Sequence, residues 1–232
     1  MQMTDSSPVP LDEKKPLAAM AITLAVFATV LGIISAGANE HGWDIAFAQW
    51  IQQWEDGLGE NLYNIGDMLG TTSLAATVTA IALVIAIILK RLQISVFLIF
   101  VLLLRLAGTQ LKALFDSPRP TSEQLRLLEP FDGTGYPSGH STTAAMVAAM
   151  LVMIAWRYSR DTRLKWAISV VAGVVLILVG WSRVWSGAHW PSDVLGGWSF
   201  GIALVLLAWI LADLITDQIK IRRDKAEQIA IC

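Results

Sequence analysis

Six separate apolar runs dominate this chain of 232 residues, and several match the thickness of a hydrocarbon core. A crossing takes about 20 residues as a helix, and inside a bilayer every backbone N–H and C=O must be satisfied within the segment. The runs are Leu17 to Ala36, Leu69 to Leu89, Ile94 to Phe115, Thr142 to Trp156, Trp166 to Val184 and Val194 to Ile215. The fourth is short and becomes adequate if its helix begins near Ser138. The length and number of the runs exclude buried helices of a soluble protein. Composition agrees: 55% of the chain is apolar, 16% is charged and the mean hydropathy is +0.57. The expected fold is all-α, a bundle of six transmembrane helices forming one domain over residues 1–232.

Sidedness follows from charge. With six crossings, the N-terminus, the second-to-third and fourth-to-fifth connections and the C-terminal tail share one face. That face carries Lys14, Lys15, Lys90, Arg91, Arg157, Arg160, Arg163, Lys165, Lys220, Arg222, Arg223 and Lys225, which are 12 of the 17 Lys and Arg residues. Short basic loops stay in the cytoplasm, so both termini are expected there, in a multi-pass protein of the plasma (inner) membrane. The opposite face carries Glu40, Asp44, Glu55, Asp56, Glu60 and Asp67 between the first two spans, with no Lys or Arg among them. Ala36-Gly37-Ala38 mimics a signal-cleavage site, but the apolar run before it is longer than a signal core, so it is expected to remain as a span.

Between the first two spans Trp43, Phe47, Trp50, Ile51, Trp54 and Leu58 recur at helical spacing, which predicts an amphipathic helix in the interface. Trp156 and Trp166 on one side, with Trp181, Trp185 and Trp190 on the other, stand where an aromatic belt is expected. A net charge of −2 gives no basic excess for a nucleic-acid partner. The lone Cys232 permits no intrachain disulfide.

Polar residues unexplained by topology gather at four helix ends on the outer face. Lys112 and Arg119-Pro120 close the third span, and Pro137-Ser138-Gly139-His140 opens the fourth. Ser182-Arg183 ends the fifth, and His189 through Asp193 opens the sixth. Lys112, Arg119 and Arg183 supply three cations, and arginine forks match phosphate oxygens in pairs. Ser138 and Gly139 open a helix whose unpaired N–H groups and positive dipole end favour an anion. His189 and Asp193, four residues apart, let a carboxylate set the ring tautomer and leave the other nitrogen to attack phosphorus. His140 could protonate the departing oxygen and later activate water. A metal pair at His189 and Asp193 is disfavoured, because three nearby cations would repel a divalent ion.

Lys112-x6-Arg119-Pro120, Pro137-Ser138-Gly139-His140 and Ser182-Arg183-x5-His189-x3-Asp193 resemble the three signature motifs of the type 2 phosphatidic acid phosphatase superfamily, and the six-span layout is similar to its membrane lipid phosphatase branch. The resemblance implies hydrolysis of a phosphate monoester or pyrophosphate on a membrane lipid. Phosphatidylglycerophosphate, phosphatidate, undecaprenyl pyrophosphate and lipid A phosphates all remain open as substrates. It implies His189 as nucleophile, His140 as acid and base, Asp193 as support, and Lys112, Arg119, Ser138, Gly139 and Arg183 as phosphate ligands, with no metal or other cofactor. A lipid-to-lipid phosphotransferase would carry identical motifs. A lipid-phosphate binding or transport protein would need the cations but neither histidine.

Four further residues invite an expectation. Arg105, two turns before Lys112 on one helix face, is expected to find a partner inside the bundle. Asp116 is expected to orient Arg119, Tyr136 to lie near the headgroups, and His41 to be solvated.

Overall fold

The computed structural model describes residues 11–37, 42–54 and 57–231. Helix α1 spans Leu11–Gly37, α2 Gly42–Ile51, α3 Gly57–Gly70, α4 Thr72–Ile88, α5 Leu92–Gly108, α6 Gly139–Tyr158, α7 Thr162–Trp185 and α8 Pro191–Ile231. No strand occurs among the described residues. Five helical segments are long and apolar enough to cross a membrane, and α3 with α4, bent by 49° at their junction, completes a sixth. The expected all-helical bundle is therefore observed.

Its details depart from the sequence pattern in three places. The apolar stripe from Trp43 to Leu58 is not one helix: α2 ends at Ile51, Trp54 lies beyond the turn that follows, and Leu58 belongs to α3. Trp43, Phe47, Trp50, Trp54 and Leu58 are nonetheless all exposed, as an interfacial surface requires. The second span begins as α3 and restarts as α4 behind the Thr71 cap, whose hydroxyl accepts from Leu74 N. A side-chain oxygen there replaces a missing helical carbonyl, which lets the axis turn without an orphaned N–H. The third span tightens after Gly108 into a 3-10 turn, Thr109–Leu114, before the chain becomes extended at Phe115.

Helix α8 is the central column, with α1, α5 and α6 packed along it and α7 lying against α6 and α3. Its apolar window is 61% buried, against 11% for α1 and for α7. Lipid is as apolar as leucine, so helices in a bilayer associate through close packing of small residues and through polar contacts. Both occur here. A Cβ on Gly197 would sit 2.8 Å from Ser138 O, and one on Gly201 would sit 2.5 Å from Thr142 O, so these glycines admit the backbone of α6. Deeper in the bundle Phe97 meets Trp209 edge to face at 5.0 Å within a cluster of Leu98, Val101, Met146, Met150 and Val205. At the end away from the signature residues, Lys14 Nζ pairs with Asp213 Oδ2 at 2.6 Å and Asp217 Oδ2 at 3.0 Å. Gln93 donates to Asp213 Oδ1, and Tyr158 donates to Gln93. Lys14, expected only as a topological charge, thus locks α1 to α8.

Several aromatic residues expected at the interface are interior. Tyr136 is fully buried, its hydroxyl donating to Ala28 O and its ring packed on Phe115 and Phe200, so it does not face headgroups. Trp185 and Trp190 are buried too, donating to Trp54 O and Pro118 O respectively. Trp156 and Trp166 do form an exposed edge-to-face pair. His41, Glu40, Glu55, Asp56 and Cys232 lie outside the described residues.

A Cβ on Gly196 would strike the Tyr136 phenol. Gly196→Ala should therefore destabilise the bundle by about 1–3 kcal/mol, the usual cost of overpacking a filled core, measured as a fall in the unfolding midpoint in detergent.

Candidate active site

The first turns of α6 and α8 lie side by side, joined by a hydrogen bond from Ser138 N to Asp193 O at 3.0 Å. Ser138 caps α6: its hydroxyl oxygen accepts from Ser141 N at 3.4 Å and from Ser141 Oγ at 3.0 Å. The fourth span begins at Gly139, as its length demanded. Lys112, carried by the 3-10 turn, reaches this helix start, since a Cβ on Gly139 would stand 3.9 Å from its Nζ. The absence of a side chain at Gly139 keeps the N-terminal amides open to a ligand.

Helix α7 ends in a turn that returns the chain to the site. The N–H groups of Ala188 and His189 both donate to Arg183 O, at 3.1 and 3.2 Å, and Gly187 takes the left-handed backbone at φ +74°. A Cβ there would also meet Arg126 O at 2.5 Å, so the turn calls for glycine twice over. The turn delivers His189, only 4% exposed, beside Asp193.

His189 Nδ1 lies 3.2 Å from Asp193 Oδ2, which also accepts from Trp190 N at 3.0 Å. With the carboxylate as acceptor, Nδ1 carries the proton and Nε2 keeps its lone pair. That nitrogen faces Arg119 Nη1 at 3.4 Å. Arg119 is held by backbone carbonyls, donating from Nη1 to Ala188 O at 2.7 Å and from Nε to Gly133 O at 3.1 Å. Asp116, expected to orient it, is exposed. Burial, followed by the charges of Arg119, Lys112 and Arg183, pushes the His189 imidazole well below its ordinary value of 6.5. The neutral ring is favoured, and its second nitrogen faces Arg119, with the charges of Lys112 and Arg183 also acting on the ring, a setting suited to a nucleophile aimed at an anion.

Arg183, 5% exposed, comes from α7 and His140 from α6, and both lie near enough to His189 to act on its ring. The sequence-expected residues thus converge. One group that the motifs do not mark joins them: Asp67, near the end of α3, lies 2.6 Å from Arg183 Nη2 and 3.3 Å from His140 Nε2. In the sequence it is only one of six acids on the outer face. Its place as the last acid before the second span, level with the motifs, is the one available signal. Arg105 has a partner as expected, donating to Thr72 Oγ1 at 2.9 Å across the α4–α5 contact. Among the described residues no group of three or more His, Cys, Asp or Glu side chains is arranged to hold a metal ion.

A family model described as the PAP2 superfamily matches residues 93–216, more than half of the chain. The chain belongs to the PAP2 superfamily. It is 36% identical over 104 residues to phosphatidylglycerophosphatase B of Bacillus subtilis, a stretch covering 44% of this chain and 50% of that protein. It is 35% identical over 66 residues to an undecaprenyl-diphosphatase of Sulfolobus acidocaldarius, covering 28% of each. A lipid A 1-phosphatase of Rhizobium johnstonii is 36% identical over 86 residues, 35% of this chain and 31% of that one. These matches span half or less of the relatives' lengths. The fold is that of the crystal structure of the transmembrane PAP2-type phosphatidylglycerolphosphate phosphatase from Bacillus subtilis, with a TM-score of 0.70 over 84% of this chain and 96% of that chain at 24% identity. The Aquifex aeolicus LpxE structure superposes with a TM-score of 0.58, covering 73% of this chain and 96% of that one at 21% identity. With this fold and these helices, the chain is a multi-pass membrane protein.

Because the His189 ring is held neutral by burial and by neighbouring cations, its nitrogen resonances should keep the neutral-imidazole pattern as pH falls below 6.5. Titration of ring-labelled protein in detergent checks this. Unfolded protein should show the ordinary midpoint, so that acidification through 6.5 favours the unfolded chain at this group.

Proposed function

We propose that this protein is a metal-independent lipid phosphatase that releases phosphate from a monoester or pyrophosphate on a membrane lipid through a phosphohistidine intermediate. The observation that carries the reading is the polarised His189 ring, with Nδ1 on Asp193 and Nε2 facing the Arg119 guanidinium. Lys112, Arg119 and Arg183 neutralise the equatorial oxygens of the phosphoryl group, while Ser138 and Gly139 present the amides of a helix start. His189 Nε2 attacks phosphorus and Asp193 stabilises the imidazole as positive charge develops on it. His140 protonates the leaving oxygen, then takes a proton from the water that cleaves the phosphohistidine.

A lipid phosphate is the substrate class best supported. The named relatives act on a phosphatidylglycerol phosphate, an undecaprenyl diphosphate and a lipid A phosphate, which share a phosphate on a membrane anchor and little else. An apolar cleft of about 380 Å³, lined by residues that include Leu69, Ala144, Val147 and Val171, opens between α4, α6 and α7 one turn below His140. An acyl or prenyl chain lying there would bring its phosphate sideways to the site. The basic ends of the helices lie opposite the site, and the positive-inside rule supports an extracytoplasmic site with the N- and C-termini cytoplasmic.

The test is phosphate release by purified protein in detergent, with EDTA present, across a panel of lipid monophosphates and pyrophosphates. Release should survive chelation, fall by at least about 10³-fold in His189→Ala and leave a ³²P-labelled phosphohistidine in acid-sensitive, base-stable form, since loss of a nucleophile removes the covalent route. A fully active His189→Ala protein would sink the mechanism, and label passed to a second lipid instead of water would make the protein a phosphotransferase.

A further inference from the structure

Helix α3 is pressed onto the site by a glycine face. A Cβ on Gly66 would sit 2.7 Å from both Leu178 O and Ser182 Cβ of α7, and one on Gly70 would sit 2.8 Å from His140 Cδ2. Asp67 rides between these two positions, and the 49° bend after Gly70 ends α3 at the level of the His140 ring rather than deeper in the bundle. Its carboxylate spans two groups from two other helices, 2.6 Å from Arg183 and 3.3 Å from His140 Nε2.

The acid of a phosphoryl transfer must hold a proton until the leaving oxygen takes it. His140 faces Arg183 on α7, Lys112 on the 3-10 turn and Arg105 on α5, with His189 on the α7–α8 turn, and every charge among these repels an added proton. Asp67 is the one carboxylate in that group that attracts it. A cation cluster suited to binding phosphate is for the same reason hostile to an imidazolium, and a carboxylate in contact with the ring opposes that repulsion.

We propose that Asp67 is a positioning residue for the acid: its carboxylate, in contact with both His140 Nε2 and Arg183, orients the His140 ring and favours its proton-bearing form at the moment of transfer. The inference rests on the phosphatase reading above. In the first step the lone pair of His189 Nε2 forms the bond to phosphorus, the bond from phosphorus to the leaving oxygen breaks with its electron pair on oxygen, and that oxygen takes the proton from His140. In the second step water gives a proton to neutral His140 as it attacks phosphorus, the bond to nitrogen breaks, and the imidazolium beside Asp67 is restored.

The role separates from packing by its dependence on the leaving group. Asp67→Asn and Asp67→Glu are compared with the unaltered protein on a dialkylglycerol phosphate and on an aryl phosphate bearing the same chain, whose phenolate departs with little help from a proton. In Asp67→Asn, kcat for the alkyl ester should fall by about 10²-fold, the lower range for loss of acid catalysis, while the aryl ester loses less than about 3-fold. The basic limb of the alkyl kcat profile should move to lower pH, because removing the carboxylate removes the attraction that keeps the proton on His140. Asp67→Glu should recover part of both. Equal losses on the two esters with an unmoved pH limb would assign Asp67 to structure, and an unchanged or raised kcat in Asp67→Asn would make it a competitor of phosphate for Arg183; either overturns the proposal. No release from either ester by the unaltered protein would sink the phosphatase reading itself, and the acid role of His140 with it.

Discussion

The hydrogen bond from Ser138 N to Asp193 O ties together the first turns of α6 and α8, and the geometry of the site is referred to that joint. It exists because α8 presents glycine where α6 must come close. Gly197 and Gly201 leave the Ser138 and Thr142 carbonyls nothing to collide with, and Gly196 makes room for the Tyr136 ring. Two helix starts therefore lie in register. One offers Ser138, Gly139 and His140, while the other holds the carboxylate on which His189 rests. In a bilayer such an approach is the main source of helix association, so the contact that stabilises the bundle is also the contact that assembles the site.

Charge is handled differently at the two ends of the bundle. At the end away from the site Lys14 meets Asp213 and Asp217, with Gln93 and Tyr158 completing the network, and the result is a closed latch between α1 and α8. At the site end Arg119 is held by groups that leave its positive charge available. Arg119 donates to two neutral backbone carbonyls, which fix its position without cancelling its charge. Breaking a buried ion pair is costly, whereas a cation held by carbonyls can still receive an anion. Asp67 is the exception, and its contact with Arg183 and His140 is what makes it informative.

Most of the site was legible because its residues are short-range features of helix ends. Ser138 as a cap, Gly139 beside it and the i, i+4 pair of His189 and Asp193 are all local in sequence, and their chemistry follows from spacing. What escaped was set by contacts between distant segments. Asp67 looks like an ordinary acid of the outer face until α3 bends and packs on α7. Trp185, Trp190 and Tyr136 look like interfacial aromatics because sequence position marks membrane depth but not which side of a helix meets protein. The stripe from Trp43 to Leu58 looks continuous because its helical period survives the break near Trp54.

The amino-acid sequence by itself determined the membrane class, the helical architecture, the sidedness expected from basic residues and the set of polar groups that stand at four helix ends. Each of these depends on composition, on a period of 3.6 residues or on groups a few positions apart, all of which the linear order preserves. Tertiary structure alone decided which helix stands at the centre, where the second span bends, and that a carboxylate from α3 shares the space of Arg183 and His140. These depend on which surfaces can approach within van der Waals distance, and in a bilayer that is settled by where glycines on one helix meet backbone on another.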